Sequence, residues 1–96
     1  MTDKELADAA VRLGAANFDQ HLGYWYVRLD DYFEEYDIVR DWRVAGALME
    51  KCQNVAYEAG PKYEVDAVSM TETYAQAWNE SLPRAIIEAC VETLDV

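Results

Sequence analysis

The sequence predicts an α+β fold: a small antiparallel three-stranded meander packed with two or three helices in an α-β-α sandwich-like arrangement. Three observations carry this. Tyr74–Ala75–Gln76–Ala77–Trp78 alternates bulky and small residues, as a pleated strand does,. It runs directly into an apolar stripe at helical spacing, Leu82, Ala85, Ile86, Ala89, Cys90 and Leu94,. Upstream, two strand-like runs flank the turn dipeptide Gly60–Pro61, and two further helical patterns precede them,.

The first helix is expected from Thr2 to about Leu13. Thr2 and Glu5 form a capping box, Asp3 and Glu5 suit the positive end of the helix dipole, and Gly14 is a terminator,. Leu6, Ala9, Ala10 and Leu13 share its apolar face. Residues Ala15 to Gly23 read as a connection, with the single histidine, His21, in it. Tyr24–Leu29 is rich in aromatic and branched residues and reads as a strand,.

A second helix is expected to begin near Ile38 or Asp41 and to end near Gln53, with Trp42, Ala45, Leu48 or Met49, and Cys52 on one face,. Gly46 in its middle would permit a close approach by a neighbouring element. Asn54–Glu58 and Lys62–Val68 follow as strands. Tyr63, Val65 and Ala67 are expected on the apolar face with Val55 and Tyr57, and Glu64 and Asp66 on the wet one,. In the last helix Ser81 is the N-cap and Pro83 lies in the first turn, where no intrahelical N–H is needed,.

At 96 residues the chain suits a single domain, 1–96, with an N-terminal part, 1–37, and a helix–meander–helix part, 38–96,. It carries 19 acidic and 8 basic residues, a net charge of −11. Such a balance repels nucleic acid and anionic membrane, and attracts cationic partners or simply maintains solubility. No apolar run approaches the about 18 residues of a membrane span, and the polar start Met1–Glu5 predicts no secretory signal. Cys52 and Cys90 fall on apolar helical faces and read as small buried hydrophobes in a reducing cytoplasm,.

No phosphate loop, zinc motif, calcium loop or nucleophile–base set is present, so neither a cofactor nor catalysis is expected,. The densest charge is Asp30–Asp31–Tyr32–Phe33–Glu34–Glu35–Tyr36–Asp37, in which every residue is acidic or aromatic. It reads either as a solvated turn, with Phe33 and one tyrosine dipping into the core, or as an exposed surface for lysines and arginines of a partner. Aromatic residues are enriched at interface hot spots, and arginine both pairs with carboxylates and stacks on rings. On the second reading the partner-binding residues are Trp25, Asp30, Asp31, Tyr32, Phe33, Glu34, Glu35, Tyr36 and Asp37. A pocket for a nucleotide-like ligand, lined by Tyr24, Trp25, Tyr26 or Trp78, would need Arg40, Arg43 and Arg84 to converge.

Arg40–Lys51, together with Ala77–Cys90, resembles the phage ABA sandwich domain, a family of small proteins of bacteriophages and prophages. Trp78–Cys90 is the most specific part. The resemblance implies a phage origin, a layered α+β fold and residence in the cytoplasm of the infected host; it supplies no catalytic residues. Tyr24–Asp37 lies outside the better-matched part. Charge, size and resemblance together lead to the expectation of an interaction protein that blocks a host nucleic-acid-handling defence complex, in the manner of an anti-CRISPR protein, by competing for its nucleic-acid-binding basic residues. The alternative is an accessory or structural phage protein acting as a homodimer through a sheet edge or helix.

Overall fold

Ser81 caps the C-terminal helix by accepting from the Arg84 N–H, and Pro83 occupies the first turn. In the computed structural model, which describes residues 1–28 and 30–95, this helix, α3 (Leu82–Leu94), is the element against which most others pack. Its burial reaches beyond the expected stripe: Ile87 and Val91 are buried along with Ala85, Ile86, Ala89 and Cys90. One side rests on a meander of β4 (Cys52–Glu58), β5 (Tyr63–Ser69) and β6 (Tyr74–Asn79), while α1 (Asp3–Arg12) and α2 (Trp42–Met49) pack against the helix.

The α+β class and the antiparallel meander are as the sequence predicts, with β5 central. The register aligns Tyr57 with Val65 and Ala77, and Val55 with Ala67 and Ala75. Val65, Ala67 and Ala77 are buried, and the small alanines let α3 approach the sheet closely. The helices gather on this face, while Asn54, Ala56, Glu58, Tyr74 and Trp78 are exposed on the other. The layering at the meander is therefore one-sided.

The first helix forms as expected. Thr2 Oγ1 accepts from the Glu5 N–H at 3.1 Å and Glu5 Oε1 from the Thr2 N–H at 3.0 Å. Gly14, at φ +78°, ends it in the left-handed conformation that glycine adopts without strain,.

Four expectations are corrected. Tyr57, expected on the apolar face, is 60% exposed on the edge strand β4. The helix predicted to run to Gln53 ends at Met49, and Cys52 opens β4 opposite Ser69. The long strand pairing with β5 outweighs the helical spacing of one sulfur. A 3-10 turn, Asp37–Arg40, precedes α2; it buries Ile38 and Val39, and Trp42, at the start of α2, is 56% exposed. No atom beyond its local backbone lies within 4 Å of a Cβ built on Gly46, so no close approach occurs there.

The N-terminal part adds a second antiparallel sheet of β1 (Asn17–Asp19), β2 (Tyr24–Arg28) and β3 (Asp31–Phe33). β2 is the strand predicted from Tyr24; Leu29, its predicted last residue, lies outside the described residues. β1 falls in the expected connection Ala15 to Gly23 and β3 in the acidic run. Strands of three residues are too short to display alternation. Both sheets contribute to one core, in which Trp25 joins Leu6, Ile38, Val44, Leu48, Val65 and Ile87.

Candidate interaction surfaces

The acidic–aromatic run divides between inside and outside because β2 and β3 are pleated. Trp25 pairs with Phe33 on the inner face, and Tyr26 with Tyr32 on the outer one. Trp25 is only 7% exposed, with ring centroids 4.8 Å from Phe18 and 5.1 Å from Tyr36. Among the described residues its indole N–H has no hydrogen-bond partner. Trp25 is thus a core residue. Phe33 and Tyr36 are half-buried and pack against the core. Tyr32 is exposed; its ring lies 5.4 Å from Tyr26, and its hydroxyl donates to Asp19 Oδ2 at 3.4 Å.

Asp19 in turn shapes the loop before β2. Its Oδ1 accepts from the His21 and Leu22 N–H groups at 2.9 and 3.1 Å. The Leu22 N–H, with His21 and the Tyr32 hydroxyl, holds its carboxyl below the ordinary range,. Partial burial and Asp19 push the Tyr32 hydroxyl up.

The carboxylates of the run have two fates. Asp31 Oδ2 accepts from Arg43 Nη1 at 2.6 Å and lies 3.6 Å from Arg28 Nε. The Arg43 guanidinium also reaches Asp41 and sits 5.7 Å over the Phe33 ring. Asp31 is therefore neutralised by its own chain. Asp30, Glu34, Glu35 and Asp37 are exposed and make no ion pair among the described residues. Glu35 lies at φ +48°, a left-handed conformation uncommon for a side-chain-bearing residue, where the chain turns from β3 into the 3-10 turn,.

The basic residues are largely consumed elsewhere. Arg84, 5% exposed, donates to Asp3 Oδ1 at 3.0 Å, to Glu88 Oε2 at 2.6 Å and to the Met1 carbonyl at 3.0 Å. Arg40 reaches Asp3 Oδ2 at 3.2 Å, Arg12 holds Asp95, and Lys4 holds Asp8. The convergence that an anionic ligand would need does not occur: Arg40 and Arg84 meet on Asp3, and Arg43 meets Asp31 and Asp41.

The open face of the meander is a surface that the sequence does not single out. Its cross-strand rows are Glu58–Glu64–Trp78, Ala56–Asp66–Gln76 and Asn54–Val68–Tyr74. Trp78 is 54% exposed and Tyr74 59%. Gln76 Nε2 donates to Glu64 Oε1 and to Asp66 Oδ1, and the Tyr74 hydroxyl donates to Asp66 Oδ1. That bond holds the Tyr74 hydroxyl above its usual range. No lysine or arginine occurs in β4, β5 or β6. The signal lay in Tyr74–Gln76–Trp78: once the intervening alanines face α3, the large residues must point to solvent.

His21 is exposed in the β1–β2 turn, and both cysteines are buried and free. Among the described residues no three His, Cys, Asp or Glu side chains gather to hold a metal ion, and no helix is long and apolar enough to cross a membrane. No family model, curated protein or solved structure matches the chain.

Proposed function

We propose that the chain is a non-enzymatic interaction protein that engages a basic, nucleic-acid-binding surface on a host protein or nucleoprotein and blocks it, as an anti-CRISPR or related anti-defence inhibitor does. The observation that carries this reading is the segregation of charge. Among the described residues Asp30, Glu34, Glu35 and Asp37 stand exposed and without an ion pair beside Tyr32, while Arg12, Arg28, Arg40, Arg43 and Arg84 are held in internal ion pairs. Carboxylates on a folded scaffold compete with phosphates for lysine and arginine, and tyrosine supplies contact area at low entropic cost. The resemblance of Trp78–Cys90 to the phage ABA sandwich domain supports a phage setting and the cytoplasm of an infected bacterium as the site of action.

The test is affinity capture from a bacterial lysate, repeated in high salt and with a variant carrying Asp30→Lys, Glu34→Lys, Glu35→Lys and Asp37→Lys. The reading expects a nucleic-acid-binding protein that is retained at low salt, released at high salt and lost with the variant. Retention of the same protein by the variant would refute it for this surface.

One observation favours a second reading, a homodimer. β4 is an edge strand, and none of Gln53–Glu58 is buried. Exposed edges are templates for pairing with a second chain. Sedimentation across a concentration range separates the readings: a concentration-independent monomer counts against the dimer.

A further inference from the structure

We infer that the open face of the meander is a docking surface for an arginine-bearing segment of another protein. It is built from strands other than those of the 30–37 turn, and it stands or falls separately from that reading.

Among the described residues no element packs on this face. Trp78 and Tyr74, both more than half exposed, flank the half-buried Gln76 on β6, with Glu64 and Asp66 half-buried on β5 and Glu58 exposed on β4. Tyr74 and Trp78 are two separate exposed rings, four residues apart on one strand, each set beside polar or acidic neighbours. The choice of occupant follows from charge. With no lysine or arginine in the three strands, a second copy laid on this face would bring carboxylates against carboxylates,. Nucleic acid and anionic lipid are repelled for the same reason.

The register adds an independent sign. Glu58 and Glu64 are direct cross-strand partners. Like charges placed opposite one another oppose sheet formation, and among the described residues neither carboxylate is in an ion pair,. A cation between them would relieve the repulsion. Trp78 completes the same row, aligned with Glu64. Gln76 engages Glu64 Oε1, leaving Oε2 without a hydrogen bond among the described residues; the Asp66 bonds likewise end on Oδ1. Carboxylate oxygens beside an indole match a guanidinium, which pairs through its planar fork and stacks through its face. An ammonium pairs with a carboxylate as a point charge and meets a ring by cation–π attraction alone, without the fork or the planar stacking.

The experiment is a titration of the isotope-labelled protein, followed by amide and indole resonances, with a glycine-spaced hexa-arginine peptide and its hexa-lysine counterpart. The inference expects shifts grouped on residues 54–58, 64–68 and 74–78 and on the Trp78 indole, with several-fold tighter binding of arginine. E64Q should weaken the arginine peptide about tenfold, and W78A should erase the preference for arginine. Both variants lie on the open face, and the dispersion of their own spectra reports folding; E58Q replaces E64Q if that variant misfolds. Shifts confined to 30–37 would overturn this inference and leave the proposed function intact. Equal binding of the two peptides, or an unaffected E64Q, would also overturn it. Absence of binding anywhere would count against both.

Discussion

Arg43 Nη1 donates to Asp31 Oδ2 at 2.6 Å, so the start of α2 is tied to the start of β3 across the 3-10 turn. The bond removes one carboxylate from the acidic surface and uses it to fix the loop that presents the others. Replacing Arg43 by alanine should lower the melting temperature by a few degrees, and the loss should shrink in high salt because the pair is partly solvated. Binding to a cationic partner should not weaken, since Asp31 is released. Melts of both proteins at low and high salt check the first part, and affinity the second.

Asp3 gathers Arg84 and Arg40, joining the first helix to α3 and to the 3-10 turn. Burial pushes its carboxyl up, but hydrogen bonds and charge from Arg84 and Arg40 outweigh this and hold it below the ordinary range,. A carboxylate depressed in the folded state contributes stability that is present above its unfolded pKa and lost as pH falls through the lower folded value. Stability should therefore decline below about pH 4. Asp3→Ala should cost roughly 1–3 kcal/mol at neutral pH by leaving Arg84 short of an acceptor, and its stability should fall less steeply with acid. Urea melts between neutral and acid pH measure both effects.

Trp25 and Trp78 are predicted to differ sharply in their stability costs. Trp25→Ala should cost about 3–5 kcal/mol through the cavity it leaves. Trp25→Phe should be far milder, because it keeps an aromatic ring and removes an indole N–H that has no partner among the described residues,. Trp78→Ala should change stability by no more than about 0.5 kcal/mol, because the side chain lies on the open face. Equal costs for Trp25→Ala and Trp78→Ala would contradict the assignment of faces.

Burial, with Cys52 close by, pushes the Cys90 thiol well above its usual range, and Cys52 Sγ lies 3.9 Å from Thr93 Oγ1 in the core. A thiol that does not ionise is a poor nucleophile. Both cysteines should resist an aromatic disulfide reagent in the native state and react promptly in denaturant. Rapid modification of the folded protein would place at least one of them at the surface.

How much of this was legible depends on the length of each element. The capping box at Thr2, the cap at Ser81, Pro83 and the apolar run to Leu94 are local signals, and α1 and α3 followed from them. The alternation of Tyr63, Val65 and Ala67 with Glu64 and Asp66 gave the faces of β5. Strands β1 and β3 carry no such period in three residues each; they are held by pairing with β2 and, for β3, by Arg43. The end of α2 was misjudged because Cys52 fits a helical stripe and also pairs opposite Ser69, and only the tertiary context decides. In the acidic run, composition marks Asp30, Asp31, Glu34, Glu35 and Asp37 alike and does not say which of them face solvent. It could not reveal that Asp31 meets Arg43 twelve positions away, nor that Trp25 lies beneath the surface. The open face of the meander was hidden for a related reason: Trp78 looks like core until the alanines beside it are seen against α3.

The central claim is that the exposed carboxylates of the 30–37 turn displace nucleic acid from a basic protein surface. The most direct measurement is competition: a labelled oligonucleotide bound to the nucleic-acid-binding protein captured at low salt, titrated with the wild-type chain and with the fourfold lysine variant while anisotropy is followed. The account predicts that the wild type releases the oligonucleotide, less effectively as salt rises, and that the variant does not. Failure of the wild type to release it, or equal release by the variant, would contradict the account.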